Sequence, residues 1–144
     1  MLLSYKYRLY PNRRQRDALE RNLEIHRQVY NAALEERKKA YHRAGPRVSV
    51  GYIAQANQLK SIREFDADIA WCNFSSLQQT LRRVKKSYDG FFRRVKAGKR
   101  AGFPRFKGRH WFKSVSYVYG DGCRIQSGRL AVQRIGNIRM FQHR

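Results

Sequence analysis

Apolar residues along this chain change period twice. Between Leu3 and Leu9 they alternate, with Leu3, Tyr5, Tyr7 and Leu9 on one side and Ser4, Lys6 and Arg8 on the other, which is the repeat of a half-buried strand. Pro11 stops it. Asn12 is placed to cap a helix, and Gln15, three positions on, to return the bond in a capping box. From there Leu19, Leu23, His26, Tyr30, Ala33, Arg37 and Tyr41 recur at four-three spacing, with Ile25, Val29 and Leu34 widening the stripe. The spacing predicts one long amphipathic helix ending near Arg43, ahead of Gly45-Pro46, with Arg13, Arg14, Arg21 and Arg27 on its solvated face.

A second helix is expected from a cap at Ser49, with Ile53, Ala56, Leu59 and Ile62 on its apolar face. Glu64, Asp66 and Asp68 then form an acidic turn. Paired carboxylates hold hard cations, but acids just ahead of a helix are common as partners of its dipole, and the structural role is favoured. A third helix is expected near Ser75, with Gln78 at the capping-box position and Leu77, Leu81, Val84, Tyr88, Phe91 and Val95 at four-three spacing. Gly90 is a weak point where its last turn is expected to bend or fray.

Beyond Ser114 the period returns to two. Val115, Tyr117 and Tyr119 alternate with Ser116 and Val118, and Gly120-Asp121-Gly122 turns the chain. Cys123 to Gln126 and Arg129 to Gln133 flank Ser127-Gly128 as a hairpin, and Ile135 to Phe141 gives a final strand with a break at Gly136-Asn137. A lone first strand needs partners, and these lie beyond the helices. The expected fold is therefore α+β, with a bundle of about three helices inserted into a small antiparallel β-barrel, closed or left incomplete. Its parts are a first strand over 1–11, a helical lobe over 12–97, a basic aromatic loop over 98–113 and the remaining strands over 114–144.

Charge changes what this scaffold is for. Lys and Arg number 32 against 10 Asp and Glu, a formal charge of +22 that repels itself unless a polyanion cancels it. Nucleic acid is the leading partner, because each phosphate neutralised releases condensed counterions and the aromatic residues supply stacking faces. A membrane surface is the weaker competitor, and Lys6 and Arg8 interrupt the apolar run that a signal peptide needs, so a cytoplasmic, nucleoid-associated protein is expected. The candidate contacts are Arg82, Lys85, Lys86, Arg93 and Arg94 on the third helix, then Lys99, Arg100, Arg105, Lys107, Arg109 and Lys113 in the loop. In that loop Phe103, Phe106, Trp111 and Phe112 either stack on bases or plug into the core, and the core is favoured.

Catalytic chemistry is sparse. From Gly90 onward the only acid is Asp121, against fourteen Lys and Arg, whereas two-metal phosphodiester hydrolysis needs several converging carboxylates. Cys72 and Cys123 have no ligand-spaced companion, and His26, His42, His110 and His143 are scattered, so neither a metal nor a cofactor is assigned. We expect no enzyme in these residues.

The strand with Arg8-Leu9-Tyr10-Pro11 and its capped helix, the Leu77-Gln78-Gln79 helix leading to Phe91-Phe92-Arg93-Arg94, the Gly102-Phe103-Pro104-Arg105-Phe106-Lys107 loop and the late Ile135-Gly136-Asn137-Ile138-Arg139 strand together resemble the N-terminal part of TnpB proteins. The resemblance implies a wedge β subdomain interrupted by a helical recognition lobe, a guide RNA and a target DNA as partners, and Gln78 as a reader of the target-adjacent motif. A Gln amide pairs bidentately with an adenine edge. The family's RuvC-like nuclease domain and Cys-rich ribbon are not matched here, so a separate nuclease-domain polypeptide is a further implied partner. A stand-alone helix-turn-helix regulator on palindromic DNA and a structural RNA-binding protein remain the alternatives.

Overall fold

Two asparagines start the two long helices. The Asn12 side chain accepts from the Gln15 amide at 2.8 Å while the Gln15 side chain accepts from the Asn12 amide at 3.0 Å, the reciprocal capping box. Asn73 accepts from the Ser76 amide at 2.8 Å. The computed structural model describes residues 1–43 and 50–141, so Ser49 and His143 lie outside the described residues. In chain order its elements are β1 (Arg8–Tyr10), α1 (Arg13–Tyr41), α2 (Tyr52–Ile62), α3 (Ala67–Trp71), α4 (Phe74–Lys96), β2 (Cys123–Gln126), β3 (Arg129–Val132) and β4 (Gly136–Phe141).

The strands form one antiparallel sheet in the order β1-β4-β3-β2. The helices are thus inserted between β1 and the strands it pairs with, as the orphan first strand requires. The four described strands stay an open sheet rather than a barrel. Its edges are β1 and β2, and β4 is internal, lying between β1 and β3. Among the described residues the first strand pairs over Arg8–Tyr10, with Arg8 opposite Phe141. Ser127 and Gly128 both have positive φ, which a two-residue turn between right-twisted strands demands, and Gly128 adopts it without a Cβ penalty.

Two apolar clusters follow. The larger joins Ile25, Tyr30, Ala33 and Leu34 of α1 to Leu77, Leu81, Val84, Tyr88 and Phe91 of α4, with Leu59 of α2 and Ile69 of α3 beside them. The smaller packs Val132, Ile135 and Ile138 on Ala18 and Leu19 of α1 with Trp71 and Tyr117. Several expectations change at this level. Helix α4 begins at Phe74 with Asn73 as its cap, so neither Ser75 nor Gln78 caps it. Ile53 is 74% exposed, because α2 turns inward the face of Gln55 and Leu59. The Gln55 amide anchors that face, donating to the Ala33 carbonyl at 2.9 Å and accepting from Arg37 Nε at 3.0 Å, a polar contact that apolar periodicity does not register. Gly90 does not end α4, which runs on to Lys96: it is buried, and guanidinium groups of Arg94 and Arg93 come within 3.4 and 3.6 Å of where its Cβ would stand.

The acidic turn is structural. Asp66 caps the short helix α3 by accepting from the Asp68 and Ile69 amides, and Asp68 pairs with Arg21 at 3.0 Å. Cys72 is buried, which pushes its thiol up to about 12, and Cys123 is half-buried and also raised; the two are not bonded to each other.

The segment after α4 is a strap. It leaves Gly98 at positive φ, packs Phe103 on Phe91 with ring centroids 4.6 Å apart, and returns along the α1–α4 groove. Halfway, the Asn31 side chain grips the Lys107 peptide at both ends, donating to its carbonyl at 2.9 Å and accepting from its amide at 2.8 Å. Arg27 also donates to that carbonyl. Phe112 then buries against Tyr30, with the Arg83 guanidinium 4.4 Å above its ring. No strand forms over Val115–Tyr119, because α4 takes its acceptors: Arg83 donates to the Ser114 carbonyl and Ser76 to that of Ser116. One isolated bridge, Val118 to Asp121, is all that remains of the expected pairing. At the end of the strap Asn73 Nδ2 donates to Asp121 Oδ1 and to Gln133 Oε1, tying the start of α4 to the sheet.

Two predictions follow from the packing. Asn31→Ala removes both bonds to the Lys107 peptide, so stability is expected to fall by about 1–2 kcal/mol. Trypsin should cut after Arg105 or Lys107 several times faster with the far-ultraviolet helix signal intact. Equal cleavage rates in the two proteins would show that the grip does not hold the strap. The second concerns His26, fully buried with Nδ1 2.6 Å from the Thr80 hydroxyl and Nε2 without a partner. Burial, aided by the Arg83 charge, holds its pKa down from 6.5 to about 4. The unfolded chain takes up this proton below about pH 6.5 and the folded chain does not, so the His26 contribution is full above that pH and is lost as pH falls toward 4. Urea denaturation at pH 7 and pH 5 is expected to differ by about 2 kcal/mol, the lower pH being less stable. His26→Gln should flatten that difference.

Candidate nucleic-acid interface

Carboxylates and cations are distributed unequally over this fold. Eight of the ten acids precede residue 70, on α1 and around α3, and most of them already have partners. Glu24 chelates Arg27 at 2.6 Å through a hydrogen-bonded ion pair that lowers its pKa to about 2. Glu35 pairs with Lys39, Asp68 with Arg21 and Asp89 with Lys85. Glu36 accepts from Gln55. Asp121 accepts from Ser75 and Asn73, which lowers its pKa. Among the described residues no three His, Cys, Asp or Glu side chains gather into a metal-binding group.

The cations at the end of α4 are placed differently. The helix buries Leu77, Leu81, Val84, Tyr88 and Phe91 and turns Arg82, Lys85, Lys86, Asp89, Arg93 and Lys96 outward at helical spacing. Arg82 lies over the Tyr52 ring at 5.1 Å and Lys85 bonds Asp89 at 2.7 Å. Lys86, Arg93, Arg94 and Lys96 are exposed and make no side-chain hydrogen bond or ion pair within the described residues. Lys99, Arg100 and Arg105 continue this exposed set into the strap. Such side chains have no internal anion to hold them and are available to phosphate.

Gln78 is half-buried in the first half of α4 and, free of any capping role, forms no side-chain hydrogen bond within the described residues. The Lys107 backbone is clamped by Asn31. Arg109 is exposed and lines a cavity of about 590 Å3 with Asp17, Glu20, Glu24 and Arg27, so its charge is drawn toward acids and acts on Glu24. Lys113 lies 5.9 Å from the Trp111 ring.

The strap aromatics divide. Phe112 and Phe103 plug into the core, whereas Phe106 is 53% and Trp111 76% exposed. At the far end of the helices, Tyr41, His42, Phe91, Phe92 and Phe103 form a ring cluster with centroids between 4.6 and 6.1 Å apart. The cluster fixes the chain's path at the point where the exposed cations are densest. Arg83 and Asn31, which hold the strap, were not singled out in the sequence. Arg83 reads there as one more surface charge, and nothing in the spacing of Asn31 marks a peptide seventy-odd residues away.

Residues 1–46 match a family model described as a helix-turn-helix domain, of the OrfB/IS605 type; their described part contains β1 and the single unbroken helix α1. The chain is 36% identical over 133 residues to a Streptomyces pristinaespiralis protein named "Putative RNA-guided DNA endonuclease", covering 91% of this chain and 31% of that one. It is 29% identical over 143 residues to InsQ of Escherichia coli K12, similarly named, covering 96% of this chain and 33% of InsQ. The chain therefore spans about a third of the length of the curated relatives it matches. No helix among the described residues is long and apolar enough to cross a membrane. Through β1 and α1, and on through α4, the strap and the sheet, the chain is thus similar to proteins of the OrfB/IS605 type.

Proposed function

We propose that the chain is the nucleic-acid-binding recognition module of an RNA-guided transposon nuclease, holding a guide RNA and its DNA target while cleavage chemistry is supplied by residues outside these 144. One observation carries this reading: exposed cations from Lys86 through Arg105 crowd around the end of α4 with a single acid, Asp89, among them, and Lys85 occupies it. Arg93, Arg94, Lys96, Lys99 and Arg100 supply the phosphate contacts, which fix position without reading sequence. Gln78, half-buried and uncommitted on the same helix, is the side chain suited to an adenine edge. Recognition of this kind leaves most sequence information to guide pairing and a short motif to the protein. The lobe over 12–97 and the strands over 1–11 and 114–144 are its two working parts, joined by the loop over 98–113. Its place is on nucleic acid in the cytoplasm, beside a nuclease region on the same or a separate polypeptide.

Seven of the ten acids favour binding over cutting, since Glu24, Glu35, Glu36, Asp66, Asp68, Asp89 and Asp121 each hold a cation, a helix cap or a side-chain donor. Purified without nuclease treatment, the chain is expected to carry a discrete RNA; recovery of bulk ribosomal RNA alone would favour a structural RNA-binding protein. Reversing Arg93, Arg94 and Arg100 to Glu should weaken binding and lower the steepness of log K against log salt by about 2–3. An unchanged slope removes those three from the interface. Magnesium and a labelled target should yield no cleavage, and specific metal-dependent products would overturn the assignment of cutting to other residues.

A further inference from the structure

The register of the sheet sorts its side chains into two unlike faces. Leu9, Met140, Ile138, Leu130 and Val132 fall on one, where Ile138 and Val132 are buried toward α1. Arg8, Tyr10, Arg139, Arg129, Gln126 and Arg124 fall on the other, and all six are exposed. No carboxylate occupies a paired position on that face. One cross-strand row reads Tyr10, Arg139, Arg129, Gln126, with strands about 4.8 Å apart. Arg139 and Arg129 stand directly opposite each other, an arrangement of like charges that destabilises a sheet. The Arg8 and Arg139 guanidinium carbons lie 5.8 and 5.7 Å from the centroid of the Tyr10 ring, which is 44% exposed.

We propose that this outer face is a second nucleic-acid surface, separate from the α4 end, that takes an unpaired stretch of chain: Arg124, Arg129 and Arg139 on consecutive phosphates and a base on Tyr10. The inference rests on the nucleic-acid reading above. Charge selects a polyanion, and the opposed arginines gain an anion between them only when it is bound. The flat aromatic beside two guanidinium planes selects unpaired bases, because bases inside a duplex have no free face to stack. Arg129 is useful to the fold only through such a ligand; alone it opposes Arg139.

Binding of the full chain to a fluorescent oligouridylate, an oligothymidylate and a mixed-sequence duplex, across a salt series, tests this. Arg124→Gln with Arg129→Gln is expected to weaken the oligouridylate or oligothymidylate complex at least tenfold and to lower its salt slope by about 1.4, while the duplex affinity stays. Whichever oligomer responds more identifies RNA or DNA as the source. Tyr10→Ala should weaken the same complex about tenfold with the slope unchanged, the sign of a lost stack. Arg129→Gln alone should melt no lower than the parent, since it removes a repulsion; a lower melting temperature would mean that Arg129 supports the fold and would overturn the proposal. Unchanged single-strand affinity in the variants, or an equal loss on duplex, also overturns it. Should the parent bind none of the three probes, the broader nucleic-acid reading fails instead.

Discussion

Helix α4 lies along α1, and the contact is sealed by polar groups as much as by apolar ones. Leu77, Leu81 and Val84 meet Ile25 and Ala33 in the apolar part, while His26 with Thr80 and Tyr88 with the Leu34 carbonyl bond across the same surface. Buried hydrogen bonds of this kind fix register, because a shift of one helix leaves each partner unsatisfied in a medium without water. Once that register is set, the groove between the helices has one shape, and the strap fills it from Phe103 through Phe112. The strap in turn delivers Asp121 to Asn73 and so positions the hairpin that builds the sheet. The chain has little freedom to place its strands anywhere else.

The same seam governs how charge is arranged. A protein carrying +22 keeps its cations apart or gives them counterions, and here both occur. Cations near the acids of α1 are neutralised in pairs, Arg21 with Asp68 and Arg27 with Glu24, and become part of the scaffold. Arg83 and Arg37 are drawn inward over Phe112 and Tyr88, where their planar heads pack as well as charge. Those on the end of α4 and on the outer sheet receive no acid within the described residues. Their mutual repulsion is a standing cost of the folded state, which a polyanion bound as proposed above would relieve, linking folding to binding.

Periodicity made the long helices, the hairpin and the insertion of helices between paired strands legible, because each of these is decided by which face meets the core. Asn12 and Gln15 announced the first helix correctly, since capping is a local exchange of bonds. The second cap was misplaced by two residues, for Asn73 works with Ser76 and also reaches the distant Gln133, a tertiary contact no window contains. Tyr117 and Val115 alternate as a strand would, yet Ser76 and Arg83 capture the backbone acceptors around them. Likewise Phe103 and Phe106 look equivalent in sequence and end in the core and in solvent. The sequence offered the cations of α4 and the strap by type but had no means to separate Lys107, whose backbone is held within the fold, from Arg93 and Arg100, whose side chains make no hydrogen bond or ion pair within the described residues.

The position of β4 between β1 and β3 has a consequence for how the protein is made. Arg8 leaves the ribosome well before Phe141, yet they are neighbours in one ladder. Helices α1 and α4 can zip up during synthesis through contacts between helices, whereas β1 must wait for β4, the only strand it pairs with among the described residues. Closing so long a loop carries an entropic toll that slows the final step. Until then Leu9 and Leu19 have no lid, and the nascent chain shows an apolar flank to its surroundings beside a field of positive charge.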